Sequence, residues 1–118
     1  MTAEEAAQKI KEYIQRQGGG VTFVELQNML GEAARGDKWM GMEDLNLWWW
    51  FNMSDLFIDA LELLRPEIEP CATSILVYLC EGSFAKLPVA AKARRYKKPH
   101  WVPIVWNMRK ERLKEKRP

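Results

Sequence analysis

A chain of 118 residues, 47% of them hydrophobic and six of them tryptophan, can bury a core of its own, and this composition excludes an intrinsically disordered protein. No apolar run approaches the roughly 20 residues that cross a bilayer, and the charged start MTAEEAAQKIKEY is unlike a secretory signal. We therefore expect one cytoplasmic domain with no membrane partner.

The charges are divided unevenly along the chain. Residues 1–85 carry 6 Lys and Arg against 14 Asp and Glu, and residues 86–118 carry 12 against 2, so the net charge of +2 divides into −8 and +10. An acidic body with a basic end is typical of proteins that contact polyanions. The alternative is a solvated surface whose two halves attract each other.

The first 30 residues predict two amphipathic helices, over residues 3–17 and 22–30. Each begins with the Thr-x-x-Glu spacing of a capping box, in which the threonine hydroxyl and the glutamate carboxylate each accept a backbone N–H. Gly18 is expected in the left-handed conformation that ends many helices. The two boxes are Thr2 with Glu5 and Thr22 with Glu25.

An aromatic run follows a segment that reads as a loop. Residues 31–45 hold three glycines and scattered charges, which predicts the loop. The next run, LWWWF from Leu47 to Phe51, has the length and aromatic content of a strand. Alternation would send Trp48 and Trp50 to one face and Trp49 to the other. One face can enter the core, and the other is expected under a loop or in solvent.

A third helix is predicted over residues 55–65, with Ser54 as its N-cap and Pro66 as its end. It is apolar around most of its girth, which indicates burial. Its acidic residues have the spacing of a single stripe, which we expect to be a solvated face rather than a set of metal ligands. The stripe, which we call the acidic stripe, consists of Asp55, Asp59 and Glu62.

Two strands are predicted after the third helix, over residues 74–80 and 101–106. Pro103 cannot donate to a strand ladder, which predicts an edge or bulged strand for the second of them. The connection between the strands is mostly polar or small and contains the basic run KARRYKKPH at 92–100.

This order of helix, helix, helix, strand, basic loop and strand resembles a winged helix-turn-helix domain. The resemblance covers residues 3–106 and is carried by AAQKIKEYI, GGVTFVELQNML, MSDLFIDALELL and a wing hairpin, SILVYL…WVPIVW. It implies an α+β fold, a three-helix bundle with a small antiparallel sheet, over residues 1–106, with a basic tail over 107–118. Winged-helix domains usually join helices 2 and 3 by a short turn. In this chain, about two dozen residues separate the second and third predicted helices. We expect their tryptophan strand to pair with strand 74–80 or strand 101–106.

No group of residues in the sequence favours catalysis, so we expect a non-enzymatic protein without cofactor or metal. His100 is the only histidine, and base catalysis needs an orienting partner. The glycines at 18–20 follow a helix rather than a strand, which is the wrong context for a phosphate-binding loop. Cys71 and Cys80 are expected to be free thiols, because no further Cys or His completes a zinc site.

The winged-helix resemblance and the basic residues favour nucleic-acid binding. The acidic stripe disfavours base reading by helix 3, because its carboxylates would meet phosphates of like charge and no Arg, Asn or Gln precedes Arg65 in that helix. We therefore expect binding through the basic wing and tail, largely without sequence reading, with Tyr96 suited to stacking. The alternative is a solubilising loop and tail. The expected contacts are Lys92, Arg94, Arg95, Tyr96, Lys97, Lys98, Arg109, Lys110 and Arg112.

A protein–protein interaction module is the second class of function that the sequence supports. The acidic stripe and the exposed members of a Trp/Met set would form a patch suited to a protein partner or to a homodimer. The alternative is that most of the Trp and Met side chains belong to the core. The residues concerned are Trp39, Met40, Met42, Trp49, Asp55, Asp59 and Glu62.

Overall fold

The computed structural model describes residues 1–110, so the last eight residues, including Arg112 of the predicted interface, lie outside the described part. Within residues 1–110, four α-helices and five short strands form an α+β fold, which confirms the predicted class. Short 3-10 turns at Gly31–Ala34 and Glu43–Leu45 flank the first strand. The elements are α1 (Ala3–Gln17), α2 (Phe23–Leu30), β1 (Arg35–Met42), β2 (Leu47–Met53), α3 (Asp55–Leu64), β3 (Ile68–Ala72), α4 (Ile75–Cys80), β4 (His100–Trp101) and β5 (Ile104–Met108).

The predicted helix starts are confirmed by their capping hydrogen bonds. In the box at α1, the Glu5 amide donates to Thr2 Oγ1 at 3.1 Å and the Thr2 amide donates to Glu5 Oε1 at 2.8 Å. The box at Thr22 makes the same pair of bonds, and Ser54 Oγ accepts from the first turn of α3. Gly18 ends α1 with φ of 75°, in the left-handed region. Helices α1 and α3 then pack against each other and bury the apolar face of α1.

The tryptophan run forms β2, the central strand of a three-stranded sheet with the order β1-β2-β4. It pairs antiparallel with β1 and parallel with β4, where Leu47 lies opposite His100 and Trp48 opposite Trp101. The sheet is therefore mixed rather than antiparallel. The expected pairing with residues 101–106 holds only for Trp101, because the strand is interrupted at Pro103 and β5 pairs with β3 in a second sheet. Strand β5 continues to Met108, two residues past the expected domain end.

The prediction of a loop over residues 31–45 is wrong, since most of the segment is β1. Two of its three glycines lie in the strand, where the neighbouring backbone approaches too closely for a side chain. A Cβ atom at Gly36 would lie 2.6 Å from the Met53 carbonyl oxygen, and one at Gly41 would overlap the Leu47 carbonyl oxygen. The register of β1 against β2 also shifts at several points, and such bulges hide the alternation expected of a strand.

Replacing Gly41 with alanine is expected to lower the free energy of unfolding by about 1–3 kcal/mol, because the added methyl group forces β1 away from β2. Urea unfolding followed by circular dichroism measures the change. The exposed β1 residue Asp37 provides the control, since Asp37→Ala should stay within about 0.5 kcal/mol of the parent. Equal stability of Gly41→Ala and the parent would contradict the close approach of the two strands.

The prediction of a strand over residues 74–80 is also wrong, because this segment is the helix α4. Periodicity alone does not separate a short apolar strand from a short helix. Ser74 caps the helix, and Tyr78 anchors it: the buried Tyr78 hydroxyl donates to the Ile104 carbonyl at 2.6 Å and accepts from the Phe23 amide at 3.3 Å. Burial also raises the pKa of Tyr78 well above its usual value. The expected wing hairpin of 74–80 with 101–106 is therefore absent from the described residues.

Both faces of β2 are covered, which answers how three adjacent tryptophans are accommodated. Trp49 and Trp50 are both buried, whereas Trp48 is half-buried and stacks on Trp39 with ring centroids 4.4 Å apart. The predicted division into one core face and one other face is therefore too simple. The surrounding aromatic cluster consists of Phe23, Phe57, Tyr78, Trp101 and Trp106.

Candidate nucleic-acid interface

Five of the cations predicted to bind phosphates lie on one segment, residues 92–98, which we call the basic loop. Its organising residue is Tyr96, whose side chain is only 8% exposed. The Tyr96 hydroxyl accepts from the Lys92 amide at 3.2 Å and donates to the Lys92 carbonyl at 3.0 Å. The loop is therefore closed on itself by a buried tyrosine.

The basic loop is also fixed to the start of β2. The Tyr96 amide donates to the Leu45 carbonyl at 3.1 Å, and Asn46 Nδ2 donates to the carbonyls of Tyr96 and Lys97 at 3.1 and 3.2 Å. Asn46 has φ of 58°, a left-handed conformation that asparagine adopts more readily than most residues. The His100 amide donates a hydrogen bond to the Asn46 carbonyl at 2.9 Å. These bonds hold the loop in one place relative to the sheet.

An aromatic stack gives Tyr96 and His100 structural positions. The Tyr96 and His100 rings stack with centroids 3.8 Å apart, and the Arg94 guanidinium lies 4.3 Å from the Tyr96 centroid. His100 Nδ1 lies 2.9 Å from the Lys98 carbonyl oxygen, which makes that nitrogen the donor of a hydrogen bond. The base-stacking role predicted for Tyr96 is corrected accordingly: the ring is buried against His100 and holds the loop.

Five cationic residues of the basic loop are exposed. No ion pair joins any of them to a carboxylate of residues 1–110. The sequence supplies no Asp or Glu between Glu81 and Glu111, so the loop lies in a long stretch without acidic residues. Clustered charges of one sign raise the local concentration of counter-ions of the opposite sign. The five are Lys92, Arg94, Arg95, Lys97 and Lys98.

The structure does not bring the other two described cations of the predicted interface to the basic loop. Arg109 follows β5 in the second sheet, where its Nε donates to the Arg65 carbonyl at 2.8 Å and its Nη1 lies 3.6 Å from Glu69 Oε1. Lys110 is exposed next to it. Arg109 is therefore already engaged within the fold.

The acidic stripe of α3 is exposed, as predicted from its spacing. Asp55 pairs with Lys38 of β1 at 3.0 Å, and this hydrogen bond raises the pKa of Lys38. Asp59 and Glu62 line a shallow cavity beside Glu4, at the start of α1. This corner of the molecule is acidic and repels phosphate groups.

The predicted Trp/Met patch does not form as expected. Met40 and Trp49 are buried, and Trp39 and Met42 are half-buried. Apart from Met1 and Leu63, the exposed large apolar side chains of residues 1–110 lie on and after α4, where the sequence predicts a strand. A helical reading of ILVYLC would have placed two of them on one face by their spacing of three. They are Leu76, Leu79, Phe84 and Val89.

The chain is a small α+β protein, and its basic loop is held by hydrogen bonds at the start of its central strand. In comparisons with known proteins, the chain matches no protein-family model, no curated protein and no solved structure. The winged-helix resemblance stays a prediction. In residues 1–110, no helix combines the length and the apolar character needed to cross a bilayer. In that same part of the chain, no group of three or more His, Cys, Asp or Glu side chains is placed to hold a metal ion.

Proposed function

We propose that this chain is a non-enzymatic nucleic-acid-binding domain that holds phosphates through the basic loop and reads little or no sequence. The observation that carries the proposal is the ordered loop itself, in which five exposed cations have no carboxylate partner among residues 1–110. Lys and Arg side chains that neutralise phosphates release condensed counter-ions, and this release supplies most of the affinity for nucleic acid of any sequence.

The fixed backbone of the loop strengthens this proposal. Binding costs free energy when a mobile segment must be ordered, and a preformed segment avoids part of that cost. Tyr96 and Asn46 already hold the loop against the sheet. The acidic stripe of α3 supports a loop-based rather than a helix-based contact, because Asp59 and Glu62 would repel phosphates.

Replacing Arg94 and Arg95 together with alanine is expected to weaken binding to a labelled duplex on the order of 100-fold at about 50 mM salt, because two phosphate contacts are lost. The loss should be equal for unrelated sequences, since phosphate contacts carry no sequence information. Fluorescence anisotropy measures both quantities.

The matched control removes two cations from helix α1, as Lys9→Ala with Arg16→Ala. Both residues are exposed, so the net charge falls equally while the basic loop stays intact. This control should bind duplex nearly as well as the parent. If the two double variants weaken binding equally, the effect is one of net charge and the proposed role of the loop is wrong. Thermal melting of both variants shows whether each remains folded.

A protein-interaction role is the second proposal, and the exposure of Leu63 favours it. This side chain is 51% exposed beside Glu62 on α3, which gives the acidic stripe an apolar neighbour. Charged rims around apolar anchors are common at protein interfaces. A homodimer of this kind would appear as a concentration-dependent mass in analytical ultracentrifugation, and Leu63→Glu should abolish it.

A further inference from the structure

An open groove with aromatic walls lies between the sheet and the segment that follows α4. One cavity of about 500 Å³ is lined by Arg35, Phe51, Phe84 and Lys86 among others. A second cavity of about 190 Å³ adjoins it, is lined by Trp48 and Leu87, and shares Phe51 and Lys86 with the first. We call the two cavities together the aromatic groove. Its larger part falls within the roughly 300–1,000 Å³ of ordinary ligand sites.

The two charged residues that line the aromatic groove are positive. Arg35 and Lys86 line it, and among the described residues no Asp or Glu does. Within residues 1–110, the one ion pair of Arg35 is an exposed contact with Glu32 at 3.6 Å, and such surface pairs contribute little to stability. An anionic ligand can therefore displace this pair at small cost.

Aromatic side chains in the aromatic groove are accessible from solvent. Phe84 is 49% exposed. Phe51 and Trp48 are half-buried and line the smaller of the two cavities. Nucleic-acid bases stack on such rings whatever the base, because every base has a π face.

The chain runs from the aromatic groove into the basic loop. The segment after Leu87 is held against β4, where the Trp101 amide donates to the Pro88 carbonyl at 2.8 Å and the Ala90 amide donates to the Trp101 carbonyl at 2.9 Å. The basic loop follows and is fixed on Asn46. Asn46 precedes Trp48 by two residues, which is about 7 Å along a strand. The backbone that anchors the basic loop therefore lies near the Trp48 end of the aromatic groove.

We infer that the aromatic groove binds single-stranded nucleic acid, with bases stacked on Phe84 and Phe51 and with phosphates at Arg35, Lys86 and the basic loop. This inference rests on the proposed function and names its ligand. Aromatic platforms beside a positively charged track are the usual means of binding single strands. A duplex is disfavoured in the groove because the faces of its bases are covered by their neighbours in the stack.

The test compares a labelled oligothymidylate of about 12 nucleotides with the same strand annealed to oligodeoxyadenylate. At equal salt, the single strand should bind more tightly. Phe84→Ala should weaken binding of the single strand about 5- to 100-fold and leave duplex binding unchanged. Phe84→Tyr keeps an aromatic face and should bind like the parent, whereas Phe84→Leu keeps only apolar bulk and should behave like Phe84→Ala. Leu76→Ala removes an exposed side chain outside the aromatic groove and should change neither affinity.

Each outcome decides a different point. Binding of both probes with no effect of Phe84→Ala would overturn the single-strand inference and leave the proposed function standing. Binding of neither probe at about 50 mM salt, with the protein folded, would overturn both. If poly-L-glutamate of matched charge competes as well as the single strand does and depends equally on Phe84, the groove is a site for acidic peptides and the inference is wrong.

Discussion

Replacing Trp50 with alanine is expected to lower the free energy of unfolding by about 3–5 kcal/mol, which is a large share of the roughly 5–15 kcal/mol of a typical domain. The indole is 5% exposed and lies among the rings of Phe23, Tyr78 and Trp101, with centroids 6.1, 5.1 and 6.0 Å away. Its Nε1 also donates to Gln27 Oε1 at 3.0 Å. Truncation therefore leaves a cavity and an unpaired amide oxygen, and urea unfolding measures the combined cost.

Trp48→Ala provides the contrast on the same strand. This ring is half-buried and its main aromatic partner is Trp39, so its loss should destabilise the domain less than the loss of Trp50. Trp50→Phe, which keeps most of the buried area, should fall between the parent and Trp50→Ala. If both alanine variants unfold like the parent, these tryptophans are surface residues and do not belong to an aromatic core.

Raising the salt concentration from about 50 to 200 mM is expected to weaken duplex binding by a factor of about 10²–10³. The five exposed cations of the basic loop would neutralise up to five phosphates, and each contributes about −0.9 to the slope of log K against log salt, for a total of about −4.5. Anisotropy titrations at four or five salt concentrations give the slope directly.

The Arg94→Ala, Arg95→Ala double variant should reduce this slope by about two contacts, to about −2.7. The Lys9→Ala, Arg16→Ala double variant should keep the slope of the parent, because the proposed contacts do not include helix α1. A slope near zero for the parent would mean that phosphates are not the contact, and binding would then need another explanation.

The sequence predicts well those elements whose signals are local. Capping boxes at Thr2 and Thr22, and the N-cap at Ser54, mark three helices correctly, since the hydrogen bonds that start a helix join residues three positions apart. The tryptophan strand is also predicted correctly. Residues 74–80 are predicted wrongly because six apolar residues fit a strand or a helix equally well, and the deciding contact, from Tyr78 to Ile104, joins distant parts of the chain.

In the candidate site, too, features with a local signal are predicted from the sequence, and features that depend on distant contacts are not. A charge count along the chain finds the cations of the basic loop, because charged side chains are seldom buried. The role of Tyr96 is not readable from its basic neighbours, since it depends on partners at Leu45, Asn46 and His100. The aromatic groove is not readable either, because Arg35, Phe51 and Phe84 meet only after the chain has folded.

The central claim, that the basic loop binds nucleic acid, is tested most directly by titrating the protein into a labelled random-sequence duplex at about 50 mM salt, with far-UV circular dichroism recorded on the same sample. We expect saturable binding with a Kd of about 10⁻⁴ M or tighter, as is usual for contacts that are not sequence-specific. A folded protein that leaves the anisotropy of the duplex unchanged up to about 1 mM would contradict the claim. The acidic stripe and Leu63 would then become the surface to examine for a protein partner.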